Sequence, residues 1–492
     1  MEEKTASKTD APKRFAAQDL RGWLDRVEAL GELKRVNGAH WNLELGCITE
    51  LNNRQRGPCL LFDDIVDYPS GFRIVTGTTG TPARLAATLR LPTNLSTAEL
   101  VKALREKSRD WSARAGDFPP QYVDSGPVLE NIKSGVNLLE FPAPKWNELD
   151  GGRFLGTGDA VVTRGLESDW INVGTYRLMV HDERTCSLKI APGHHGREQM
   201  EQHFRAGKPF PVIASLGHAP LLFLYASVEL PAGVCEYDYI GAVMGEPVKV
   251  IRGELTGLPM PAAAEIVLEG FCRPGNMKED GPFGEFLGYY SGHEVPEPVF
   301  EVERIYHRND PILLGSPPGR PPQDFSYSKT MLRSALLHDA LEKAGMPVVA
   351  CWADEVGGGR TLLTVSVRQQ YQGQARQVGL MASQCHVGAW LGRFVIVVDE
   401  DIDPSNLADV MWAVSTRCDP ARDIQILERT WGTKMDPVSV TFDQKVPYHS
   451  RAVIDACRTY EYRDVFPPVA EASPEFQRQI REKWKDLLGT GD

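Results

Sequence analysis

A chain of 492 residues is too long for a single hydrophobic core and implies two or three domains. With 42% hydrophobic and 24% charged residues it has the makeup of an ordinary soluble globular protein. Its net charge of -12 argues against nucleic acid or an anionic membrane surface as main partner, although an isolated basic pocket for an anionic ligand is compatible with it. No apolar run reaches the length of a membrane span, and Met1–Thr5 lacks the apolar core of a signal peptide. The nine cysteines (Cys47, Cys59, Cys186, Cys235, Cys272, Cys351, Cys385, Cys418, Cys457) show neither CxxC nor zinc-like spacing. An odd, dispersed set reads as reduced thiols, and the expected location is cytoplasmic.

Residues 1–15 are charged and small, and are expected to be disordered. From Ala17 to Val36 apolar residues recur at helical spacing (Leu20, Trp23, Leu24, Val27, Leu30) and predict one amphipathic helix. Strands follow at Cys59–Phe62 and Phe72–Thr76, then helices at Pro82–Leu89 and Ser96–Ser108, where Ser96 and Glu99 form a capping box. Arg109–Gly126, with Pro119 and Pro120, reads as a linker.

From Val128 to Leu314 short alternating runs broken by Gly, Pro and Asp predict a barrel or sandwich. Its strands are Ala160–Arg164, Trp170–Val180, Cys186–Ala191, Leu221–Leu230 and Val248–Arg252, with one helix at Arg197–Ala206. The last third reads α/β. Helices are predicted at Ser326–Ala344, Gln370–Ser383 and Ser405–Thr416, and strands at Val348–Trp352, Thr361–Val367 and Phe394–Val398. Pro474–Leu488 is a charged amphipathic helix suited to a neighbouring subunit.

Four segments carry candidate chemistry. Asp280-Gly-Pro-Phe-Gly-Glu285 brackets a turn with two carboxylates, a pattern that suits paired acids with divided roles. By itself it is also a common surface turn. Trp170–Val180 holds Asn172 and Arg177, five apart and so on opposite faces of a regular strand; a bulge at Gly174 would bring them to one site. Without it they are a solvated or structural pair. His194 and His195 stand on a Gly-bounded loop ahead of a helix, where unpaired N–H groups favour a phosphate and imidazole can ligate a metal. A lone histidine pair is more often structural. Glu236 lies in a largely apolar stretch, either as a solvated strand-end acid or as a partnered buried one. Asn, His and Glu together make a fairly hard ligand set suited to Mn²⁺ or Mg²⁺ bridging a phosphate.

Taken in order with Gly315–Pro322, Arg393–Asp403 and Thr416–Pro420, these segments resemble the UbiD-like family of prenylated-FMN-dependent decarboxylases over about residues 16–470. The resemblance implies a mixed α/β chain in which a central split β-barrel (residues 126–325) binds prenylated FMN. Flanking it would be an N-terminal α/β domain (16–125), a C-terminal α/β oligomerisation domain (326–470) and a terminal helix (471–492). It places Mn²⁺ on Asn172, His195 and Glu236, with K⁺ nearby, and the catalytic acid–Arg–acid network on Asp280, Arg177 and Glu285. Gly174, Thr175, Tyr176, Arg177, His194, Ser227 and, as in some relatives, Arg393 fall around the cofactor. The implied reaction is reversible non-oxidative decarboxylation of an aromatic, heteroaromatic or α,β-unsaturated acid through a covalent adduct with prenylated FMN. Arg177 would clamp the carboxylate and Glu285 would donate the proton. CO₂, a flavin prenyltransferase supplying the cofactor, and a homodimer or homohexamer are the implied partners. An ordinary flavin oxidoreductase and a non-catalytic assembly subunit are the alternatives.

Two departures stand out. Asp280 replaces the family's usual Glu, shortening its reach by roughly one C–C bond, about 1.5 Å. Pocket compensation, a part for Glu279, or a different substrate would each accommodate it. Asp324-Phe-Ser-Tyr327 is also uncommon at its place, and either lines the substrate pocket or simply caps a helix at Ser326.

Overall fold

The computed structural model describes residues 18–488 except 229, 231, 291–294, 434 and 439–447. The disorder expected for residues 1–15 lies outside the described residues.

The first helix is shorter than its periodicity suggested, spanning Leu20–Ala29. Asp19 caps it by accepting from Arg21 N at 2.8 Å, and Leu20, Trp23, Leu24 and Val27 are buried. Gly31, at φ +73°, turns the chain, so that Leu33–Asn37 becomes a strand parallel to Cys59–Asp63. Strand Arg73–Thr76 follows. The sheet is completed by Ile312–Leu314, a strand from much later in the sequence. Helix Glu44–Arg54 was not anticipated. Helix Thr97–Arg114 carries the expected Ser96/Glu99 capping box but continues six residues into the supposed linker, because Trp111 is buried. The rest of that linker supplies Gln121–Tyr122, paired with Lys249–Arg252.

The centre is a nine-stranded sheet. Its main path runs Arg153–Gly156, Arg177–Val180, Thr185–Lys189, Val295–His307, Ile266–Asp280, Phe210–Gly217, Ala160–Arg164, Ile171–Gly174, with Asn131–Lys133 added beside Val295–His307. The stretch read as one strand from Trp170 to Val180 is therefore two, the last strand of that path and the second. Only Thr175 and Tyr176 link them, a reach of roughly 10 Å at most. The sheet must curl until its ends nearly meet, giving an open half-barrel whose seam is this two-residue step. Leu221–Leu230, expected as a strand, is instead a helix over Pro220–Ala226, every residue of it buried. A short continuous apolar run cannot be assigned by periodicity, whereas Pro220 in the first turn marks the helix.

The C-terminal region packs a five-stranded sheet, in the order Val348–Ala353, Leu362–Val367, Phe394–Asp399, Tyr448–Ala456, Ile424–Trp431, against helices Gln374–Gln384 and Leu407–Arg417. Helix Asp324–Lys343 is buried on most sides, which suits an element wedged between Thr97–Arg114 and Val348–Ala353. Ser326 does not cap it from outside; its Oγ accepts from Gln323 N within the first turn. All nine cysteines are free thiols. Helix Pro474–Lys483 has no buried residue, and Phe476, Trp484, Leu487 and Leu488 are exposed. Among the described residues no helix is long and apolar enough to cross a membrane.

Candidate active site

Arg177 opens the strand on one side of the seam, and its guanidinium lies between two carboxylates. It pairs with Asp280 Oδ1, and its Nη1 stands 3.8 Å from Glu285 Oε1. Phe283 and Phe154 cover the guanidinium, with ring centroids 5.0 and 5.9 Å from its central carbon. Asp280 is the last residue of its strand and is fully buried, with Ser187 Oγ donating to its other oxygen at 2.5 Å. The shorter Asp side chain thus reaches both Arg177 and Ser187. Glu279 is exposed, as alternation along the strand requires, so the pocket accommodates Asp280 without it.

Glu285 is carried on a loop closed by Glu285 N donating to Tyr289 O (2.9 Å) and Gly288 N donating to Glu285 O (2.8 Å). Gly151 N anchors the turn by donating to Pro282 O. A Cβ on Gly151 would stand 1.8 Å from Gly281 O, so only glycine lets the two backbones meet. The acid–Arg–acid set is one connected cluster in a mostly buried setting. Lysine and glutamate flank it: Lys189 is opposite Arg177 in the sheet and pairs with Glu297 at 3.4 Å.

Across the seam, the second group assembles around Tyr176. Asn172 Nδ2 donates to Tyr176 O–H (3.2 Å) and to Thr163 Oγ1 (3.1 Å), and Thr163 donates to Gln199 Oε1 (2.6 Å). With its amide hydrogens engaged, the ligating capacity of Asn172 resides in its carbonyl oxygen. Gly174 ends its strand rather than bulging it, and its role is space. A Cβ there would lie 2.3 Å from the Tyr176 ring, and one on Gly196 2.7 Å from the Tyr176 oxygen. His194 precedes helix His195–Arg205 as its N-cap; His195 is the first helical residue, its ring 4.9 Å from Trp170. Glu236 is neither strand-end nor solvated. It begins helix Glu236–Met244, is 4% exposed, and Oε2 accepts from Val173 N at 2.7 Å. Thr175 N donates to Ala226 O (3.0 Å), which sets Ser227 against the seam. Asn172, Tyr176, Glu236 and Ser227 are thus tied to the stretch 172–176, and His195 adjoins it through its neighbour Gly196, whose N donates to the Tyr176 oxygen at 3.3 Å. Arg393 does not join them: it opens a strand of the C-terminal sheet and pairs with Asp436, which also contacts His449.

Two acids of the seam are held in a buried setting. Burial pushes the Glu236 carboxyl up to about 8, even though Val173 N donates to it. Asp159, which accepts from Thr175 Oγ1 through its backbone oxygen, is fully buried, and burial raises its carboxyl well above the usual range despite the nearby Tyr176 backbone; Ser316 Oγ close by is unpaired among the described residues. Unpaired buried polar groups cost about 1–3 kcal/mol each, so a bound polar group would satisfy them. Among the described residues no three His, Cys, Asp or Glu side chains form a metal cluster.

The Glu236 shift has a testable sign. Its folded pKa is raised, so metal-free protein keeps the full benefit of the neutral carboxyl below about pH 4.5 and loses it as pH climbs through about 8. Thermal melts are expected to fall over that interval relative to those of Glu236→Gln.

Sequence reasoning missed Ser187, Asp159 and the aromatic cover of Phe154 and Phe283. Strand alternation from Lys189 could have found Ser187; the others depend on the closure of the sheet.

Fold and site together define a three-domain mixed α/β protein in which a curled half-barrel buries one arginine between two carboxylates. Family models for the N-terminal, Rift-related and C-terminal domains of 3-octaprenyl-4-hydroxybenzoate carboxy-lyase match residues 24–104, 121–321 and 326–456. The chain is 31% identical to pyrrole-2-carboxylic acid decarboxylase of Pseudomonas aeruginosa, over 97% of this chain and 99% of that one. The open form of vanillic acid decarboxylase from Sedimentibacter hydroxybenzoicus superposes with a TM-score of 0.82 at 30% identity, covering 96% and 99%. The UbiD-class enzyme HmfF of Pelotomaculum thermopropionicum in complex with FMN gives 0.81 at 26%, covering 93% and 98%. An evolved dimeric form of HmfF in complex with prenylated FMN gives 0.78 at 26%, covering 94% and 98%. The chain belongs to the UbiD family of carboxy-lyases.

Proposed function

We propose that this protein catalyses the reversible, non-oxidative decarboxylation of an aromatic or heteroaromatic carboxylic acid with prenylated FMN and a divalent cation, Mn²⁺ or Mg²⁺. The observation that carries the reading is the Asp280–Arg177–Glu285 set at the half-barrel seam. Relatives named for pyrrole-2-carboxylic and vanillic acid support the substrate class, and the HmfF complexes support the flavin.

When bound, the flavin supplies the electron sink that loss of CO₂ from an sp² carbon requires. Asn172, His195 and Glu236 would hold the divalent cation, and Glu236 would stay ionised beside it despite burial. Asp159, Thr175, Tyr176 and Ser227 line the same seam.

The chain's own residues do the rest. Arg177 binds the substrate carboxylate through its planar fork, and its Nε carries no hydrogen bond in the structure. Asp280, held by Ser187, fixes the plane of that fork and balances its charge. Phe154 and Phe283 exclude water from the guanidinium, strengthening the clamp. Glu285, 17% exposed at the open side of the cluster, hands a proton to the carbon that CO₂ leaves. The remaining implied properties (a flavin prenyltransferase as cofactor source, a homodimer or homohexamer, a cytoplasmic setting) belong to the same proposal.

Native and denaturing mass spectrometry on protein co-produced with a flavin prenyltransferase, with metal analysis of the same sample, tests the cofactor assignment. One prenylated FMN and one divalent cation per chain are expected. Folded protein that takes up neither, with the prenyltransferase demonstrably active, contradicts it.

A further inference from the structure

The loop that carries Glu285 reaches beyond the central sheet. Its next residue, Phe286, lies against the C-terminal region, where its ring stacks on Trp390 with centroids 6.2 Å apart and planes 29° apart. The Arg360 guanidinium covers the Trp390 ring at 4.2 Å and stands 6.0 Å from the Phe286 ring. Gly358, at φ +63°, belongs to the same seat: a Cβ there would lie 3.1 Å from the Phe286 ring and 3.3 Å from the Leu287 side chain. Phe286, Arg360 and Trp390 are each half-buried.

The seat is built from separate elements. Arg360 stands between the turn Glu355–Gly357 and strand Leu362–Val367, and Trp390 follows the helical turn His386–Ala389. Helix Asp324–Lys343 holds both turns with one side chain, since Arg333 Nε donates to Gly359 O at 2.9 Å and its Nη2 donates to Val387 O. Arg360 and Trp390 are thus backed by a long helix at the place where Phe286 arrives. On the other side, Glu285 N to Tyr289 O and Gly288 N to Glu285 O are bonds within the loop. They set its shape, but not its distance from Arg177, whose Nη1 is 3.8 Å from Glu285 Oε1. Placement decides the rate, because a displacement of about 1 Å at the reacting groups costs on the order of a hundredfold. Stacked rings and a guanidinium over a ring face are stiff, flat contacts suited to fixing a short loop.

We propose that Trp390, braced by Arg360, is a positioning residue for Glu285. The C-terminal region grips Phe286 and thereby sets the place of the proton donor beside Arg177. Trp390 acts through its neighbour on the loop and not on the reacting atoms. This inference rests on the role given to Glu285 above.

The test uses holoprotein co-produced with the prenyltransferase and reads two things: steady-state kinetics on an accepted acid, and hydrogen exchange by mass spectrometry over residues 283–290. Trp390→Ala is expected to lower kcat by about ten- to a hundredfold, with KM and flavin content near wild type. Exchange over 283–290 is expected to quicken in the same variant. Trp390→Phe, which keeps a ring, is expected to retain most of the wild-type kcat. Phe286→Ala is expected to match Trp390→Ala, and the double variant to be no slower than either, because both cut one link. Phe286→Ala decides by the same readings if Trp390→Ala does not fold. A folded, flavin-loaded Trp390→Ala protein with wild-type kcat overturns the inference. So does one that loses kcat while exchange over 283–290 stays at the wild-type rate, or a double variant slowed by the product of the two single effects. Wild type that turns over no acid overturns the functional reading instead, and unchanged exchange in Trp390→Ala would then still show that the C-terminal region does not grip the loop.

Discussion

Arg177→Lys is expected to lower kcat/KM by at least about a hundredfold, with the fold preserved. Lysine keeps the positive charge that Asp280, fully buried, requires. It cannot keep the planar fork that grips a carboxylate through two parallel hydrogen bonds. A displacement of about 1 Å at the reacting group costs on the order of a hundredfold, and an ammonium ending short of the guanidinium position implies at least that. Arg177→Met removes the charge as well. Asp280 then keeps Ser187 but loses its cation, and breaking a buried pair costs roughly 3–5 kcal/mol, so this variant should also melt markedly lower. Steady-state kinetics beside thermal melts separate the two effects. Full turnover by Arg177→Lys would remove Arg177 from the role of carboxylate clamp.

Glu285→Gln is expected to cut kcat by about 10²–10⁴-fold, the range that a positioned proton donor contributes, while flavin content and melting temperature stay near wild type. Glutamine preserves shape and hydrogen bonding but has no proton of suitable acidity to give. Because Glu285 contacts Arg177 only at 3.8 Å, whereas Asp280 is its close partner, the loss should fall on kcat rather than on KM. A variant that bound acid normally and turned over at the wild-type rate would show that the proton comes from elsewhere.

Much of this molecule is legible in its sequence, and the failures share a cause. Elements with a long amphipathic period or a clear cap are placed to within a few residues: Thr97–Arg114 from Ser96 and Glu99, and Asp324–Lys343 from Leu332, Leu336, Ala340 and the Gly345 stop, although Leu336 is exposed rather than on the buried face. Pro220–Ala226 was misread because a helix buried on all sides shows no period. The hairpin Ile266–Asp280 with Val295–His307 was missed because its long strands mix exposed charges with buried apolar residues, and only pairing across the sheet makes them one element. At the site, Arg177, Asp280 and Glu285 come together because the chain crosses the seam at Thr175-Tyr176, which no spacing rule contains. Asp280 looked like a defect for the same reason. In sequence it is one methylene short; in space Ser187 and Arg177 meet it. Arg393, placed at the cofactor by resemblance, pairs with Asp436 within the C-terminal domain.

The most direct measurement is CO₂ release from a panel of pyrrole-, furan-, hydroxybenzoic- and cinnamic-type acids, comparing protein matured with a flavin prenyltransferase against protein produced without one. The account predicts that at least one aromatic or heteroaromatic acid loses CO₂ only with the matured protein, in D₂O with one deuterium placed at the vacated carbon, and that Glu285→Gln slows the reaction by about 10²–10⁴-fold without loss of flavin. Matured, flavin-loaded and metal-loaded protein that releases no CO₂ from any of them, and exchanges no label into the corresponding arenes under bicarbonate, would contradict it.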